Sequence, residues 1–491
     1  MTLIASAPLT DTTAAPATLL INGEWISAGT SFDVSDPATG EVIGRISDGG
    51  ITEAKLALDA ADAAFPLWRE VPVESRSAIL KAAAEAVRRQ AEELAHLMSR
   101  ENGKPLAEAR GEILNCARTL EWSAEEARRA FGRVLPNAAH GPSMVVKTPV
   151  GPTLAIAPWN FPGSMLVRKM ALAIASGSTV IAKPAAQTSL IAVALTRIIN
   201  DAGLPEGVLN LVTSTQASKI TAALMSDERL RKVSFTGSTR VGLELAAGGN
   251  GRVRRLSLEL GGHSPAVVLP DADIERTAAS IVAAKFANNG QSCTAINRVY
   301  LPRENASALT EAIVAKARQL VLGHGLDEDT TTGPLINESG LEKVDAQVRD
   351  ALERGATLLT GGKRWQPSSS ALTGAFYEPT VISGVSPEAL ISTEETFGPV
   401  LPIYVYDTLD EAVSLANGSE YGLAAYIFGK DMQTLWKTFD ALEFGVIGVN
   451  DPFPVRPELP FGGFKNSGQE REGGSEGIEA YLETKAISIR W

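Results

Sequence analysis

Cys293 stands out in this sequence as a side chain that could form a covalent bond. It follows the polar run Asn288-Asn289-Gly290-Gln291-Ser292, after an apolar helix, whereas the other cysteine, Cys116, lies among apolar residues. Most cysteines are structural and have apolar neighbours, so the polar turn favours a reactive thiol at Cys293. A cysteine–histidine protease is less favoured, because no histidine lies near Cys293 in the sequence.

Three polar residues in or just after apolar, strand-like segments could assist such a thiol. Glu259 lies within Leu258-Glu259-Leu260, where simple alternation could place it on a solvated face. If Glu259 is buried instead, desolvation raises its pKa and makes it a usable general base. The Asn160 amide could donate to a developing oxyanion, and Lys183 could reach a ribose or a phosphate.

A glycine-containing turn, Gly237-Ser238-Thr239-Arg240-Val241-Gly242, lies between a predicted strand and a predicted helix. In that position backbone N–H groups and the helix dipole can face a phosphate. The two glycines are five residues apart, so the turn does not match the dinucleotide fingerprint G-x-G-x-x-G. Taken alone, an ordinary tight turn is equally compatible with this pattern.

The middle of the chain alternates short apolar strands with helices. The predicted strands lie at 153–158, 179–182, 208–212 and 232–235, and the predicted helices at 164–176, 189–202 and 219–225. This alternation predicts right-handed crossovers and a parallel, doubly wound sheet with both faces covered. Because such sheets bind ligands beyond the carboxyl ends of their strands, the candidate residues are expected at one edge of one sheet.

The flanking regions carry further elements. Apolar residues at three- and four-residue steps predict a helix over 75–100, and 133–150 is polar and strand-prone. A second α/β region is predicted over 261–443, with helices at 274–287 and 341–354 and strands at 401–406 and 424–428.

Composition narrows the classes of protein. A chain of 491 residues with 44% apolar and 21% charged residues is typical of a folded protein of two or three domains. Its net charge of −12 argues against nucleic acid or a membrane surface as the main partner. Two cysteines and four scattered histidines argue against a disulfide scaffold and a zinc site, so no metal is expected.

No run reaches the roughly 18 apolar residues of a membrane span, and 1–18 resembles neither a signal nor a transit peptide. We therefore expect a flexible N-terminal tail on a cytoplasmic protein.

Seven motifs, in order and at matching spacing, make the sequence from 19 to 491 resemble the aldehyde dehydrogenase superfamily. They are Pro158-Trp159-Asn160-Phe161-Pro162, Ala182-Lys183-Pro184, Phe235-Thr236-Gly237-Ser238-Thr239, Leu258-Glu259-Leu260-Gly261-Gly262, Gly290-Gln291-Ser292-Cys293, Glu394-Glu395-Thr396-Phe397-Gly398-Pro399 and Pro460-Phe461-Gly462-Gly463.

The resemblance implies an α/β fold with a doubly wound, parallel-sheet cofactor domain, a second α/β catalytic domain and a small β oligomerisation arm. The implied segments are a tail at 1–18, an NAD(P)-binding domain at 19–130 and 151–260, and a catalytic domain at 261–445. The arm would comprise 131–150 and 478–491, and 446–477 would form a substrate-channel loop and return to the cofactor domain. A homodimer or homotetramer is also implied.

The resemblance also implies NAD(P)-dependent oxidation of an aldehyde to a carboxylic acid through a cysteine thiohemiacetal and a thioester. Cys293 would be the nucleophile, and the Asn160 amide and the Cys293 backbone N–H would hold the alkoxide. Glu259 would then activate water to release the acid. Glu472 matches a second acidic position sometimes assigned to proton relay, although a surface salt bridge is an equal alternative.

Further residues are assigned to the cofactor by the same resemblance. They are Trp159, Lys183, Ala186, Gly237, Ser238, Gly242, Leu260, Glu395 and Phe397. Lys183 and Glu395 would hold ribose hydroxyls. Relatives that prefer NAD often carry Glu three residues after the lysine, where its charge would repel a 2′-phosphate. Ala186 lacks that charge, so we expect NADP or NAD, with NADP favoured.

For the substrate, the sequence is most similar to succinate-semialdehyde dehydrogenases. Arg168 lies where that group places an arginine against the distal carboxylate, but a second expected arginine is replaced by Ala287. Arg456, in a loop expected to line the same channel, could substitute for it. A small anionic semialdehyde is the first expectation. An aromatic or longer-chain aldehyde is the alternative, because Ala287 leaves room and Phe453 and Phe461 offer an apolar wall.

Two other functions are less favoured. A CoA-acylating dehydrogenase generally lacks the general-base carboxylate, whereas this chain has Glu259. A non-catalytic binding protein that reuses the fold is expected to have lost Cys293, Glu259 or Asn160, and all three are present.

Overall fold

The computed structural model describes residues 15–136, 141–248, 253–367 and 369–490. Of the predicted tail at 1–18, residues 1–14 lie outside the described residues. None of the helices in the described ranges is both long enough and apolar enough to cross a membrane.

The helices are numbered in chain order. They are α1 Ile51–Trp68, α2 Val73–Arg89, α3 Ala91–Asn102, α4 Leu106–Ala127, α5 Pro162–Ser176, α6 Ser189–Asp201, α7 Ala217–Met225, α8 Thr239–Ala247, α9 Ile274–Phe286, α10 Ala306–Ala317, α11 Glu338–Glu353, α12 Leu390–Thr393, α13 Leu409–Asn417, α14 Met432–Ala441 and α15 Gly474–Glu479. Short 3₁₀ turns cover Ala186–Thr188 and Ala287–Gly290.

The strands are numbered in the same way. They are β1 Leu19–Ile21, β2 Glu24–Ile26, β3 Ser31–Ser35, β4 Val42–Ser47, β5 Arg133–Leu135, β6 Ser143–Pro149, β7 Thr153–Ile156, β8 Val180–Lys183, β9 Leu209–Leu211, β10 Lys232–Thr236, β11 Arg255–Glu259, β12 Ser264–Val268, β13 Ile296–Pro302, β14 Thr357–Thr360, β15 Thr380–Ser383, β16 Val400–Tyr406, β17 Tyr421–Gly422, β18 Ala424–Phe428, β19 Val446–Val449, β20 Phe464–Lys465, β21 Gly468–Gln469 and β22 Leu482–Ser488.

The first large sheet has the order β2-β1-β9-β8-β7-β10-β11-β21. Its five central strands, from β9 to β11, run parallel, and the outer strands β1, β2 and β21 pair antiparallel. Strands β7 to β10 are buried throughout, as a sheet covered by helices on both faces requires. The parallel, doubly wound sheet predicted from the alternation is confirmed.

The second large sheet has the order β14-β15-β16-β13-β12-β18-β19 and is parallel except for the β14–β15 pair. A third, antiparallel sheet joins β5, β6 and β22. The observed fold class agrees with the expectation of two α/β units and a small β arm. The exact domain boundaries stay a prediction, and 137–140 and Trp491, assigned to the arm, lie outside the described residues.

One predicted element is wrong in detail. The helix expected over 75–100 is two helices, α2 and α3, separated by Gln90 at φ −106° and ψ 14°. The acidic residues Glu92 and Glu93 occupy the first turn of α3, where the helix dipole favours negative charge. A new helix start is therefore stabilised inside a continuous apolar pattern, which periodicity alone does not reveal.

Candidate active site

A cavity of about 1360 Å³ lies where the carboxyl ends of the first sheet face the second sheet. The first sheet contributes Trp159, Asn160, Lys183, Gly237, Ser238 and Leu260, and the second unit contributes Cys293, Glu395 and Phe397. Ala186, Arg168 and Phe461 also line it. The fold thus brings together most of the residues that the sequence singled out.

Cys293 follows a sharply turned segment. Asn288, Asn289 and Gly290 adopt φ values of 48°, 55° and 72°, all in the left-handed region. A Cβ atom at Gly290 would lie only 2.2 Å from the carbonyl oxygen of Gly398, so glycine is required there. This turn carries the chain from the end of α9 into the cavity and presents the half-buried thiol of Cys293.

The surroundings of Cys293 keep its thiol protonated. Burial, and then the negative charges of Glu395 and Glu259, raise the pKa of the thiol to about 12. A thiol with this pKa becomes a nucleophile only when a base removes its proton or a positive charge is brought close.

Hydrogen bonds fix both the side chain and the backbone of Asn160 next to the turn that precedes Cys293. Its side-chain amide donates to the carbonyl oxygen of Gln291 at 3.0 Å. The backbone carbonyl oxygen of Asn160 accepts from the Lys104 ammonium at 2.8 Å and from the Asn288 side-chain amide at 2.9 Å. An amide has two N–H groups, so one remains for a charged oxygen near Cys293.

Sequence reasoning missed the buried pair that supports Asn160. Lys104 donates to Glu112 at 2.6 Å, and both side chains are buried. The other oxygen of Glu112 accepts from the backbone N–H groups of Gly163 and Ser164, at 2.9 and 3.0 Å, at the start of α5. The pair therefore fixes both Asn160 and the helix that follows it. The contacts of this pair with Asn160, Gly163 and Ser164 join segments 51 to 56 residues apart, so local sequence carries no signal for them.

Glu259 ends β11, where it pairs with Thr236 of β10 and Gly468 of β21. Its side chain is 1% exposed, which overturns the solvated-face alternative. Both carboxylate oxygens lack a hydrogen-bond partner among the described residues. Burial, followed by the charge of Glu472, raises the pKa of Glu259 well above its usual value. A carboxyl group of this kind can hold or accept a proton near neutral pH.

Glu472 is buried rather than at the surface, so the surface salt-bridge alternative is wrong. It accepts hydrogen bonds from Lys169 and, at 2.9 Å, from Ser234. Arg168 lies 4.0 Å from its other oxygen. Burial alone would raise the pKa of Glu472, but Lys169 and Arg168 hold it below its usual value. The pKa values of these two neighbouring carboxyl groups are therefore shifted in opposite directions: that of Glu259 is raised and that of Glu472 is lowered.

The part of the cavity lined by Lys183, Glu395 and Phe397, called the far part below, has groups suited to a dinucleotide. Burial lowers the pKa of Lys183 to about 8, and its ammonium donates to the Pro184 carbonyl oxygen at 2.9 Å. Burial raises the pKa of Glu395 to about 7, although it accepts the Gly262 N–H at 2.9 Å. Phe397 has φ 51° and meets Trp159 edge-on, with ring centroids 5.6 Å apart.

The start of α8 completes this part of the site. Ser238 precedes the helix and makes no side-chain capping bond, so first-turn N–H groups near the cavity wall remain open to an anion. Gly242 does not line the cavity. It allows α8 to pack on Leu260, whose Cδ2 would lie 2.2 Å from a Cβ atom at Gly242. These residues fit a nicotinamide dinucleotide.

Arg168 lies in the cavity wall, and part of its guanidinium group has no hydrogen-bond acceptor among the described residues. Its side chain is 2% exposed, and its guanidinium carbon lies 4.9 Å from the centre of the Phe461 ring. Its Nε and Nη1 have no hydrogen-bond partner among the described residues.

Arg456 has a different position. Its side chain is 60% exposed, pairs with Asp451 at 2.8 Å and does not line the cavity. The structure gives no support for Arg456 as a replacement for the arginine absent at Ala287. Among the described residues, no three His, Cys, Asp or Glu side chains are grouped so as to hold a metal ion.

Comparison with known proteins decides the family. The model of the aldehyde dehydrogenase family matches residues 25–487. The chain belongs to the aldehyde dehydrogenase family. It is 42% identical to the glutarate-semialdehyde dehydrogenase of Pseudomonas putida, over 96% of this chain and 97% of that protein. It is 40% identical to the succinate-semialdehyde dehydrogenase [NADP(+)] of Escherichia coli, over 96% and 97%. The crystal structure of succinate-semialdehyde dehydrogenase from Burkholderia pseudomallei has a TM-score of 0.94 at 40% identity, covering 98% of this chain and 99% of that one.

The family and the resemblance drawn from the seven motifs are therefore confirmed, and the protein is an NAD(P)-dependent aldehyde dehydrogenase. In this aldehyde dehydrogenase a protonated thiol and a fixed amide donor line the cavity, and the buried carboxyl group of Glu259, whose pKa is raised, lies behind the wall next to Leu260. That set can add sulfur to a carbonyl, stabilise the resulting alkoxide and later activate water.

Proposed function

We propose that this aldehyde dehydrogenase oxidises a small anionic semialdehyde, such as succinate semialdehyde, to the carboxylic acid, and that it prefers NADP to NAD. The observation that carries the substrate proposal is the buried guanidinium of Arg168. It lines the same cavity as Cys293, and two of its nitrogens are without hydrogen-bond partners in the described part of the chain. Glu472 lies 4.0 Å from Arg168 but accepts no hydrogen bond from it, and buried N–H donors without acceptors are costly, so a substrate carboxylate would satisfy them.

The reaction would begin with the carboxylate form of Glu259 taking the thiol proton of Cys293. The Cys293 sulfur then bonds to the aldehyde carbon, and the carbonyl electron pair moves to oxygen. The free N–H of the Asn160 amide and the backbone N–H of Cys293 donate to that oxygen. These donors stabilise charge that exists only once the carbon becomes tetrahedral, so they lower the barrier rather than tighten binding.

The cofactor would be held by the residues of the far cavity. Lys183 and Glu395 would bind ribose hydroxyls, Gly237 and Ser238 would face the pyrophosphate, and Phe397 would pack near the nicotinamide ribose. Trp159 and Leu260 would supply the apolar wall. When bound, the nicotinamide supplies the hydride acceptor for the carbon attached to Cys293, which leaves a thioester on the enzyme.

Glu259 and Glu472 would complete the cycle. Glu259 passes the thiol proton out through the buried group of Glu472 and Lys169, and returns to the carboxylate. It then removes a proton from water, and the resulting hydroxide attacks the thioester carbon. The Cys293 thiolate leaves and recovers that proton. The sum is one aldehyde and one water converted to one acid, with one hydride and one proton released. The presence of Glu259 supports hydrolysis over transfer to CoA.

Replacing Arg168 with leucine tests the substrate proposal. For a four-carbon anionic semialdehyde we expect kcat/KM to fall about thirty-fold, since a desolvated charge pair contributes about 2 kcal/mol or more. For a neutral aldehyde of similar length the change should be less than about three-fold, because no charge pair with the substrate is lost and Lys169 still pairs with Glu472. Steady-state assays with both substrates measure the difference.

The charge-conserving variant Arg168→Lys is the matched control, and it should retain most of the preference for the anionic substrate. Equal losses on both substrates would reject the carboxylate contact. They would favour the second candidate, an aromatic or longer apolar aldehyde, which is supported by Ala287, Phe453 and Phe461 in the cavity wall.

The NADP preference is supported by Ala186, which lines the cavity and brings no negative charge near the Lys183 side. In Ala186→Glu, a carboxylate near the 2′-phosphate should lower kcat/KM for NADP by about ten-fold or more and leave the value for NAD nearly unchanged. The neutral variant Ala186→Gln should change neither value greatly. If Glu and Gln at this position act alike on both cofactors, charge at 186 does not set the preference.

A homodimer or homotetramer is supported by the third sheet. Strand β5 forms its outer edge, and Val134 and Leu135 on that strand are 66% and 46% exposed. An exposed edge with apolar side chains is suited to pairing with a second copy of the chain. Sedimentation velocity on the full chain should show a dimer or tetramer, and a monomer would contradict the proposal.

A further inference from the structure

One face of α4 forms part of the cavity wall. The contributing residues recur at three- and four-residue steps, as one helix face requires, and are Glu108, Gly111, Glu112, Asn115 and Arg118. Apart from the backbone of α4 itself, a Cβ atom added at Gly111 would meet no atom of the described residues within 4 Å, so there is open space beside this helix. The cavity therefore extends along α4 toward Arg118.

Four cationic side chains of the described residues line the cavity, and three of them already have acceptors or a neighbouring anion. Lys183 donates to Pro184 at 2.9 Å, Lys343 donates to the backbone oxygen of Glu395 at 2.6 Å, and Arg168 lies 4.0 Å from Glu472. For Arg118, no hydrogen bond or ion pair occurs within the described ranges of the chain. Its charge is available to a ligand.

The acids on the same helix face do not neutralise Arg118. Glu112 is paired with buried Lys104 at 2.6 Å. Burial raises the pKa of Glu108 to about 7, and its Oε2 accepts the backbone N–H of Asn288 at 2.8 Å. Both carboxyl groups are thus engaged with other parts of the site.

The two arginines that line the cavity, Arg168 and Arg118, differ in their exposure to solvent. Arg168 on α5 is 2% exposed, whereas Arg118 on α4 is exposed. The helices that carry them are in contact one turn before each arginine, where the Asn115 amide lies 3.4 Å from the Ser164 hydroxyl. Because both arginines line one cavity and Arg118 is the more exposed, Arg118 is placed to meet a carboxylate that a longer chain carries outward past Arg168.

From this placement we propose that Arg118 is an outer carboxylate contact that extends the substrate range to ω-carboxy aldehydes of five and six carbons. The inference rests on the proposed function, in which Arg168 binds the carboxylate of the shortest substrate. Ala287, which also lines the cavity, leaves the width that a longer substrate needs.

The test compares kcat/KM for ω-carboxy aldehydes of four, five and six carbons and for a neutral six-carbon aldehyde. In Arg118→Gln we expect a loss of about three- to five-fold for the five- and six-carbon acids, as for a partly exposed charge pair. The four-carbon acid and the neutral aldehyde should change by less than about 1.5-fold. The selective loss should disappear near 1 M salt, where the screening length is about 3 Å.

The matched control is Arg128→Gln, which removes an exposed arginine at the end of the same helix that does not line the cavity. It should leave all four substrates unchanged. An equal loss on all three acids, or no loss on any, would overturn the role of Arg118 while the anionic preference of the wild type still supports the proposed function. A wild type that does not favour anionic over neutral aldehydes would instead overturn the proposed function.

Discussion

Cys293→Ala is expected to abolish aldehyde oxidation, with kcat reduced by about 10⁵-fold or more, as for the loss of a catalytic nucleophile. Without sulfur there is no thiohemiacetal, and the carbon from which hydride leaves is never held against the acceptor. Cofactor reduction followed by absorbance measures the rate. Binding of NADP to the variant, followed by fluorescence, should remain close to that of the wild type.

Cys116→Ala is the control for the loss of a thiol as such. Cys116 is fully buried in the core packed around α4 and α5, and burial raises its pKa well above the usual value. It should therefore be inert, and its alanine variant should keep most of the wild-type rate. Substantial turnover in Cys293→Ala, or a complete loss in Cys116→Ala, would contradict the assignment of the nucleophile.

Glu259→Gln is expected to separate the two halves of the reaction. Removing the general base should slow steady-state turnover by about 10²- to 10⁴-fold, because the thioester is no longer hydrolysed efficiently. The first turnover should survive at reduced rate, since an aldehyde can still be attacked by the fraction of Cys293 that ionises. Stopped-flow absorbance should then show a burst of about one reduced cofactor per site.

The pH dependence of the wild type follows from the raised pKa of Glu259. Only the carboxylate form accepts a proton from water, so hydrolysis of the thioester should accelerate as pH rises toward that pKa and level off above it. The Gln variant should lose this titration. A Glu259→Gln enzyme with neither a burst nor a changed pH profile would show that Glu259 is not the base.

The sequence predicts much of the scaffold because the relevant signals are local. Strands β7 to β10 are short apolar runs separated by amphipathic helices, and each ends close to where the pattern places it. The polar turn before Cys293 is also a local signal, since Asn288, Asn289 and Gly290 are residue types that tolerate left-handed backbone.

Other features of the site depend on distant segments. Glu259 is buried partly because β21 returns to pair with it from more than 200 residues away. The pKa of Glu472 lies below its usual value, despite burial, because Lys169 and Arg168 of α5 face it. Neither the alternation along β11 nor the sequence around residue 472 contains information about these contacts. The sequence alone therefore cannot exclude a solvated face for Glu259 or a surface salt bridge for Glu472.

The most direct test of the account is the mass of the enzyme during turnover. Glu259→Gln would be mixed with the four-carbon semialdehyde and NADP, quenched in acid after one turnover and digested for mass spectrometry. We predict that the peptide containing Cys293 gains the mass of the acyl group, in an amount that matches the reduced cofactor formed. Reduced cofactor without any adduct on Cys293, or an adduct on Cys116 instead, would contradict the central claim.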